Sequence, residues 1–586
     1  MLVAVVRGDL GTGDRGAGDR GAGDRGAGES GGGRLQPLHA DGRPAGPVER
    51  CPDLAAAIAE RERRDRPRWL WATATAIYPP LLRAGVRVDR CHDVELTEAL
   101  LLGHAGRWGE PRALAAAWAR LTGAPVPADP PPRAPDPPGH GQGALFDEIT
   151  APPPVVGVDP LRALTEVYAD QQVRIARTGH PGRFRLLVAA ESASALIAAE
   201  MGADGLPWRA DVHDALLAEL LGEPSPVGGP PRRLARLAAL IAEALGDRQL
   251  HPDSPAELLR AFARAGIELP NTRAWVLRGV DHPAVPLLLE YKELYRIWTA
   301  HGRAWRDAWV HEGRFRPEYV PGGVVSGRWA TRGGGALQIP KVIRRAVRAD
   351  PGWRLVVADA GQLEPRVLAA VSGDARLAAA GGAGDLYAAL ARDAFGGDRA
   401  RAKVALLGAM YGQTGGAAVP ALAALRRSYP TAFDYVETAA RTGEAGGLVR
   451  SWLGRTCPPP SVSLREADPD AAEFDVGADG DPAGPRARAA ARARGRFTRN
   501  FVIQATAAEW AATMLATLRG SLAGTGAQLV FFQHDEVLVH CPAARADEVA
   551  GRVGEAATRA TRLLFGDTPV RFPLDATVVD SYAEAK

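Results

Sequence analysis

Asp359, which closes the apolar run Arg354-Leu-Val-Val-Ala358, and Asp535, in Gln533-His-Asp-Glu536, are the residues of this 586-residue chain best suited to chemistry. Two carboxylates at the ends of apolar, strand-like runs can hold a pair of divalent cations. Such ions, about 3.5–4 Å apart, clamp both the attacking and the leaving oxygen of a displacement at phosphorus. Magnesium prefers oxygen donors in near-octahedral geometry. A lone Asp-Glu pair is usually solvated surface, but His534-Asp535-Glu536 lies between two apolar runs, 529–532 and 537–539, and reads as the turn of a hairpin.

Between the aspartates, Arg399-Ala-Arg-Ala-Lys403-Val-Ala-Leu-Leu407-Gly-Ala-Met-Tyr411-Gly412 has helix length. Residues four apart drift about 40° per step, so Arg399, Lys403, Leu407 and Tyr411 line one broad face. Its two cations suit a polyphosphate; an amphipathic helix with a solvated basic edge is the plain alternative. Residues 326–348 contain Arg328, Arg332, Lys341, Arg344, Arg345 and Arg348 and no acid. With glycines allowing close backbone approach, this stretch reads as a track for duplex phosphates or as a solvated basic loop. Lysine occurs only at positions 292, 341, 403 and 586 in an arginine-rich chain, which sets Lys403 apart from casual surface charge.

Taken together, the segments around Asp359, Arg399–Tyr411 and Asp535 resemble motifs A, B and C of the family A DNA polymerases, the DNA polymerase I family. The resemblance runs from about residue 159 to 586, and it is nearest to compact actinobacterial members that pair an exonuclease-like domain with a polymerase. It implies template-directed addition of deoxynucleotides to a primer 3′ end, with two Mg²⁺ ions and dNTPs as cofactor and substrate, in replication or repair. The implied metal ligands are Asp359, the Ala360 carbonyl and Asp535, with Glu536 adjusting the metals or the primer end. Arg399 would hold phosphate oxygens, Lys403 would neutralise and protonate the leaving pyrophosphate, and Leu407, Tyr411, Gln362 and His534 would border the nucleotide. Glu364, five residues after Asp359, matches the glutamate that blocks a ribose 2′ hydroxyl. Arg328, Gln338, Arg345, Arg496, Asn500 and Gln504 would hold primer-template DNA; Asn500 and Gln504, one helical turn apart, suit minor-groove acceptors common to all base pairs.

The sequence departs from the family pattern in places. Leu407 stands where an aromatic residue usually meets the incoming sugar, Ala360-Gly361 replaces Tyr-Ser, Pro365 follows the gate glutamate, and an asparagine between Gln338 and Ile339 is missing. These departures put nucleotide selection, speed and fidelity in question.

These residues need strands and helices to position them. The expected fold is multi-domain α/β (α+β): a right-hand polymerase with palm, fingers and thumb, preceded by a degenerate ribonuclease-H-like exonuclease domain. That domain would occupy 1–123, with a Gly-Asp-Arg-Gly-Ala repeat as a low-complexity insertion at 8–33. A proline-rich linker follows at 124–157. Residues 158–320 would complete the exonuclease-like domain and form a helical thumb, with Leu258, Leu259, Phe262, Leu287, Leu288, Tyr291 and Leu294 at helix spacing. Residues 321–586 would be the palm, with short fingers at about 385–460 and then a polar insertion, expected to lack order, as far as Arg494. Exonuclease chemistry needs several carboxylates, but the first strand runs into Arg7-Gly-Asp9 and not Asp-x-Glu. Tyr168-Ala-Asp170-Gln-Gln172 carries an amide where an acid belongs, and Asp93-Val-Glu95 sits in a different context.

In the linker, Gln142-Gly-Ala-Leu145-Phe146 resembles peptides that dock on bacterial sliding clamps, and equally suits a plain linker with an apolar staple. Cys51, Cys91, Cys457 and Cys541 show no paired spacing, so buried thiols are expected. A net charge of +3 leaves nucleic-acid binding to local clusters. No apolar run approaches the roughly 20 residues of a bilayer span; a cytoplasmic monomer at the nucleoid, without membrane contact, is expected. The competing readings are a 3′ to 5′ exonuclease that merely grips DNA through its second half, and a non-catalytic primer-template scaffold.

Overall fold

The computed structural model describes residues 1–8, 31–131, 158–224, 228–412, 418–459, 485–533 and 535–585. The Gly-Asp-Arg repeat from 9 to 30 and the clamp-like peptide Gln142, Leu145 and Phe146 lie outside the described residues, as does His534.

The chain opens with a five-stranded sheet made of β1 (Leu2–Arg7), β2 (Gly33–Leu38), β3 (Glu49–Cys51), β4 (Arg68–Trp71) and β5 (Arg90–Asp93), in the order β3-β2-β1-β4-β5. The first three strands pair antiparallel, while β4 runs parallel to both β1 and β5. Alternation sets its layers. In β4, Trp69 and Trp71 join the apolar cluster with Ile58, Ile77 and Tyr78, while Leu70 points to the opposite cluster with Leu161 and Leu164. Asp53 caps the helix Leu54–Asp65 by accepting from the Ala56 N–H.

The helix Pro181–Asp204 then runs between this sheet and the rest of the molecule. Leu196 belongs to the first sheet's core, whereas Phe184, Leu187, Ile197 and Met201 belong to the large core shared with the helix Pro485–Leu522. At its end, Arg519 from the helix Pro485–Leu522 meets Glu200 with Nε and Nη2, at 2.8 and 2.7 Å. Arg519 also donates to the backbone carbonyls of Val88 and Asp89 in the N-terminal unit, and Tyr78 donates to Glu200. Largely buried pairs of this kind are costly to break on one side, by about 3–5 kcal/mol.

A second apolar centre gathers Leu234, Leu237, Ile241, Leu258, Phe262, Leu288, Tyr291 and Leu294 from helices between residues 232 and 301. Leu259 and Leu287, placed on the same sequence spacing, are half-buried. Three short strands, β6 (Leu206–Pro207), β7 (Val310–His311) and β8 (Arg314–Phe315), tie this unit together. A ribbon of β9 (Glu318–Val320) and β10 (Ala330–Arg332) follows.

The central sheet has the order β12-β13-β11-β14, with β11 at Trp353–Ala360, β12 at Gln528–Gln533, β13 at Glu536–Pro542 and β14 at Leu574–Val579. All its pairs are antiparallel. Both faces are covered: Val356 and Ala358 pack under the long helices, while Leu355 and Val357 pack on the helical unit before them. The helix Pro485–Leu522 already includes Arg488 to Arg494, which corrects the polar insertion expected there; only 460–484 fall outside the description. This helix and Pro181–Asp204 are long and apolar enough to cross a bilayer by length and composition, contrary to the run-by-run reading. Both are mostly buried in the cores just described. All four cysteines are buried free thiols.

Candidate active site

β11, an inner strand of the sheet, ends in Asp359-Ala360 after a run of apolar residues. Asp359 is paired with Glu536 of β13 on one side and with Asp575 of β14 on the other. The Ala360 N–H donates to the Asp535 carbonyl at 3.1 Å, so the two aspartates that are distant in sequence meet at one end of two adjacent strands. Both are half-buried. A carboxylate in such a place is expensive unless charge or hydrogen bonds answer it. Among the described residues no cluster of three or more His, Cys, Asp or Glu side chains gathers in metal-binding geometry. The two carboxylates and the Ala360 carbonyl are all hard oxygens that could serve as donors here. That set fits Mg²⁺, which commonly takes one or two protein carboxylates and completes its shell with water and substrate phosphate.

Glu536 is engaged differently. It is buried, accepts a 2.5 Å hydrogen bond from the Tyr582 hydroxyl, and has Arg344 at 3.5 Å. The Arg344 guanidinium also lies over the Tyr582 ring, 4.3 Å from its centroid. Burial, then the Glu536 charge, pushes the Tyr582 hydroxyl well above its ordinary range. Arg344, one of the six cations in the basic stretch, is thus spent inside the fold.

The turn after Ala360 carries the next group. Gln362 holds a left-handed backbone (φ 59°), a conformation that costs a non-glycine residue about 1–3 kcal/mol. Its side chain offsets this by donating to Asp385 Oδ1 at 2.8 Å and accepting from the Leu386 N–H at 2.9 Å. Glu364 stands in the first turn of the helix Leu363–Val371, where acids are favoured. One of its oxygens meets Arg328 and the other accepts from the Tyr411 hydroxyl at 2.6 Å. Burial and the charge of Glu364 raise the Tyr411 hydroxyl above its usual range. Three residues from separate segments therefore close one corner.

The helix Arg399–Tyr411 begins at Asp398, which accepts from the Arg401 N–H at 2.9 Å, and ends at left-handed Gly412. Arg399 and Lys403 are exposed on it, and Leu407 is half-buried against the core. Arg399 Nε donates to Asp385 Oδ2 at 2.7 Å. Burial opposes ionisation of Asp385, yet hydrogen bonds from Gln362 and Arg399 outweigh it and hold the carboxyl down to about 2. Lys403 has no ion-pair partner among the described residues, leaving its ammonium open to solvent.

The expected DNA-facing residues come from several segments. Arg328 leans on Glu364, Arg345 pairs at 3.5 Å with exposed Glu219, and Gln338 lies in the short helix Ala336–Gln338. Arg496 packs its stem beside Gly412, where a β-carbon would come within 2.9 Å of it. Asn500 and Gln504 are half-buried on the same long helix, and Asn500 Oδ1 is buried without a hydrogen-bond partner among the described residues.

Two residues that matter here escaped the sequence reading. Asp385 couples Gln362 to Arg399 and also caps the helix Leu386–Ala394; the pattern Gly384-Asp385 before an apolar helix was its signal. Arg366 is 1% exposed and donates to the carbonyls of Gly361, Gly381, Ala383, Gly384 and Arg571, which fixes the backbone behind the site. Nothing in its neighbourhood marks an arginine for burial.

In the N-terminal sheet, Asp93 is buried and caps two chain segments, accepting from Ala74 N–H at 2.7 Å and Leu96 N–H at 3.0 Å. Nearby, Gln171 bridges His92, the Val94 carbonyl and Glu98, and Arg174 and Arg120 pair with Glu98.

Comparison with known proteins agrees with this architecture. The polymerase domain of Pol1 from M. smegmatis, solved with a DNA primer-template and dNTP, superposes with a TM-score of 0.67 over 94% of this chain and 93% of that one, at 17% identity. DNA polymerase I from Thermus filiformis is 28% identical over 429 residues, 67% of this chain and 47% of that protein. DNA polymerase I from Deinococcus radiodurans is 24% identical over 365 residues, 54% and 35% respectively. The chain thus spans less than half the length of these curated relatives. The model of DNA polymerase family A matches residues 231–583, a span that includes the paired aspartates, the Glu364 corner and the basic helix. With well over half of its length matched, the chain belongs to DNA polymerase family A.

Proposed function

We propose that this protein is a template-directed DNA polymerase that extends a primer 3′ end with deoxynucleotides. The observation that supports this most is the Ala360 to Asp535 backbone hydrogen bond, which brings two carboxylates to one sheet edge beside an exposed Arg399–Lys403 face. Two Mg²⁺ ions held by Asp359, Asp535 and the Ala360 carbonyl would make the primer hydroxyl nucleophilic and neutralise the leaving pyrophosphate. Arg399 binds phosphate oxygens once the nucleotide competes with Asp385, and Lys403 supplies charge and a proton to the leaving group. Glu364, held by Tyr411 and Arg328, fills the space a 2′ hydroxyl would need. Arg328, Gln338, Arg345, Arg496, Asn500 and Gln504 grip primer-template DNA, and the site of action is the cytoplasmic nucleoid.

The N-terminal sheet has the role of a support and not of a nuclease in this reading. Asp93, the acid of its one Asp-x-Glu sequence, has its oxygens occupied by backbone N–H groups. Residues 142–146 serve as a clamp tether that raises the local concentration of the enzyme at primer ends.

Primer extension with labelled primed DNA, with and without dNTPs and Mg²⁺, tests the proposal. Growth of the primer only when both are present is expected. Shortening without dNTPs would favour a nuclease, and binding without either change would favour a scaffold.

A further inference from the structure

Residues 333–335 are three successive glycines with left-handed backbones, φ 68°, 66° and 58°. They link β10, next to Arg328 and Arg332, to the helix Ala336–Gln338. An aromatic cradle from the preceding helical unit surrounds them. The Trp305 indole N–H donates to the Gly334 carbonyl at 2.8 Å. A β-carbon on Gly333 would lie 2.1 Å from the Trp309 ring, and one on Gly334 would lie 3.0 Å from Phe315, whereas one on Gly335 would meet nothing. Behind the loop, Trp208, Trp305 and Phe315 pack with ring centroids 5.0–5.5 Å apart. His213 extends the stack: it accepts from the Trp208 indole N–H and bonds the His301 carbonyl at 2.8 Å. The loop's far end is also tied, because Gln533, the last residue of β12, donates to the Leu337 carbonyl.

The loop therefore spans from the aromatic base of the helical unit to the strand that leads into Asp535. We propose that Trp305 and Trp309 are positioning residues that, through the Gly333–Gly335 loop, set the basic stretch around Arg328 and Arg332 at the right distance from the carboxylate edge for a duplex to engage both. Both act through the loop and are not proposed as DNA ligands. The inference rests on the polymerase reading for its ligand, a primed DNA duplex, but not for its test.

The test compares Gly333→Ala with Gly335→Ala in the full-length protein. Both carry the same penalty for a β-carbon at positive φ, and only the first collides with the cradle. Fluorescence anisotropy with primed duplex, without dNTPs, should give a Kd raised about tenfold for Gly333→Ala and at most about twofold for Gly335→Ala. The salt dependence of binding should flatten by roughly one phosphate contact for Gly333→Ala alone. In steady-state extension, KM for primed DNA should rise while kcat and KM for dNTP hold. Trp305→Phe, which keeps the ring and removes the donor, should fall between the two in Kd. Equal Kd values for the two alanine variants would overturn the inference, as would a Gly333→Ala effect confined to kcat or thermal stability. A wild-type protein that binds primed duplex without extending it sinks the polymerase reading alone, and one that does not bind it sinks both.

Discussion

Ala360 donates its backbone N–H to the carbonyl of Asp535 across 3.1 Å, which, beside the β11–β13 ladder, ties together the backbone of the two proposed metal-binding aspartates. β11 and β13, which end at or beside them, are buried on both faces, so this backbone pairing cannot shift without disturbing two cores. Asp359→Asn or Asp535→Asn should lower kcat for primer extension on the order of 10³-fold, the scale of losing several kcal/mol of metal-borne stabilisation. Binding of primed DNA should change little. Single-turnover extension beside anisotropy separates the two effects.

The corner formed by Arg328, Glu364 and Tyr411 makes a prediction about sugar selection. Glu364→Ala should raise the kcat/KM for ribonucleotides relative to deoxynucleotides by roughly 10–100-fold, as expected when a steric block is removed. Tyr411→Phe, which removes the 2.6 Å hydrogen bond and leaves the acid, should relax selection less. Competition between rNTP and dNTP on one template measures both.

Asp385 bridges the strained Gln362 turn and the Arg399 guanidinium. Asp385→Ala should cost about 1 kcal/mol through the lost helix cap. Freed from its partner, Arg399 would also shift, and KM for dNTP should rise severalfold while KM for primed DNA stays put. Thermal melting and steady-state kinetics in parallel would detect this split.

How much of this was legible beforehand depended on whether chemistry or packing chose the residue. Asp359 and Asp535 could be found because each interrupts or ends an apolar run, and Arg399 to Tyr411 because its spacing matches a helix turn. Arg366 and Asp385 could not. An arginine that saturates backbone carbonyls, or an aspartate that ties a turn to a distant side chain, leaves no periodic trace; Asp385 meets Gln362 23 residues before it, and Arg366 reaches the Arg571 carbonyl 205 residues on. The basic stretch reads as one surface in sequence, yet Arg344 turns inward to Glu536, while Arg328 stays partly exposed beside Glu364. Charge counts cannot tell a phosphate ligand from an internal counterion. The glycines of this stretch suggest close backbone approach, while the rings that constrain Gly333 and Gly334 belong to Trp305, Trp309 and Phe315 of the preceding unit, which no local pattern links to them.

Acidity offers another check. Burial raises the Glu509 carboxyl to about 7, against hydrogen bonds from Ser451 and Leu453. Between its ordinary 4.5 and 7 the folded protein keeps a proton that the unfolded chain has released, so this group's stabilisation falls as pH rises through that window. His92 and His301, pushed down to about 4 chiefly by burial, act oppositely: the unfolded chain binds their protons first, and stability grows as pH rises from 4 to 6.5. Glu509→Gln should melt close to wild type at pH 5 and several degrees higher at pH 7.5. Melting curves across that range, at fixed ionic strength, give the comparison.

The Arg519 anchor on Glu200, Val88 and Asp89 bears on how the molecule can be handled. A proline-rich tether invites the biochemist to trim there and keep the carboxy-terminal portion as a minimal enzyme. Such a fragment would surrender the carbonyls that satisfy a guanidinium and lay bare Ala195, Leu196 and Ala199, greasy flank and all. It should clump more readily than the intact chain, because the front sheet acts as a keel for the hull behind it.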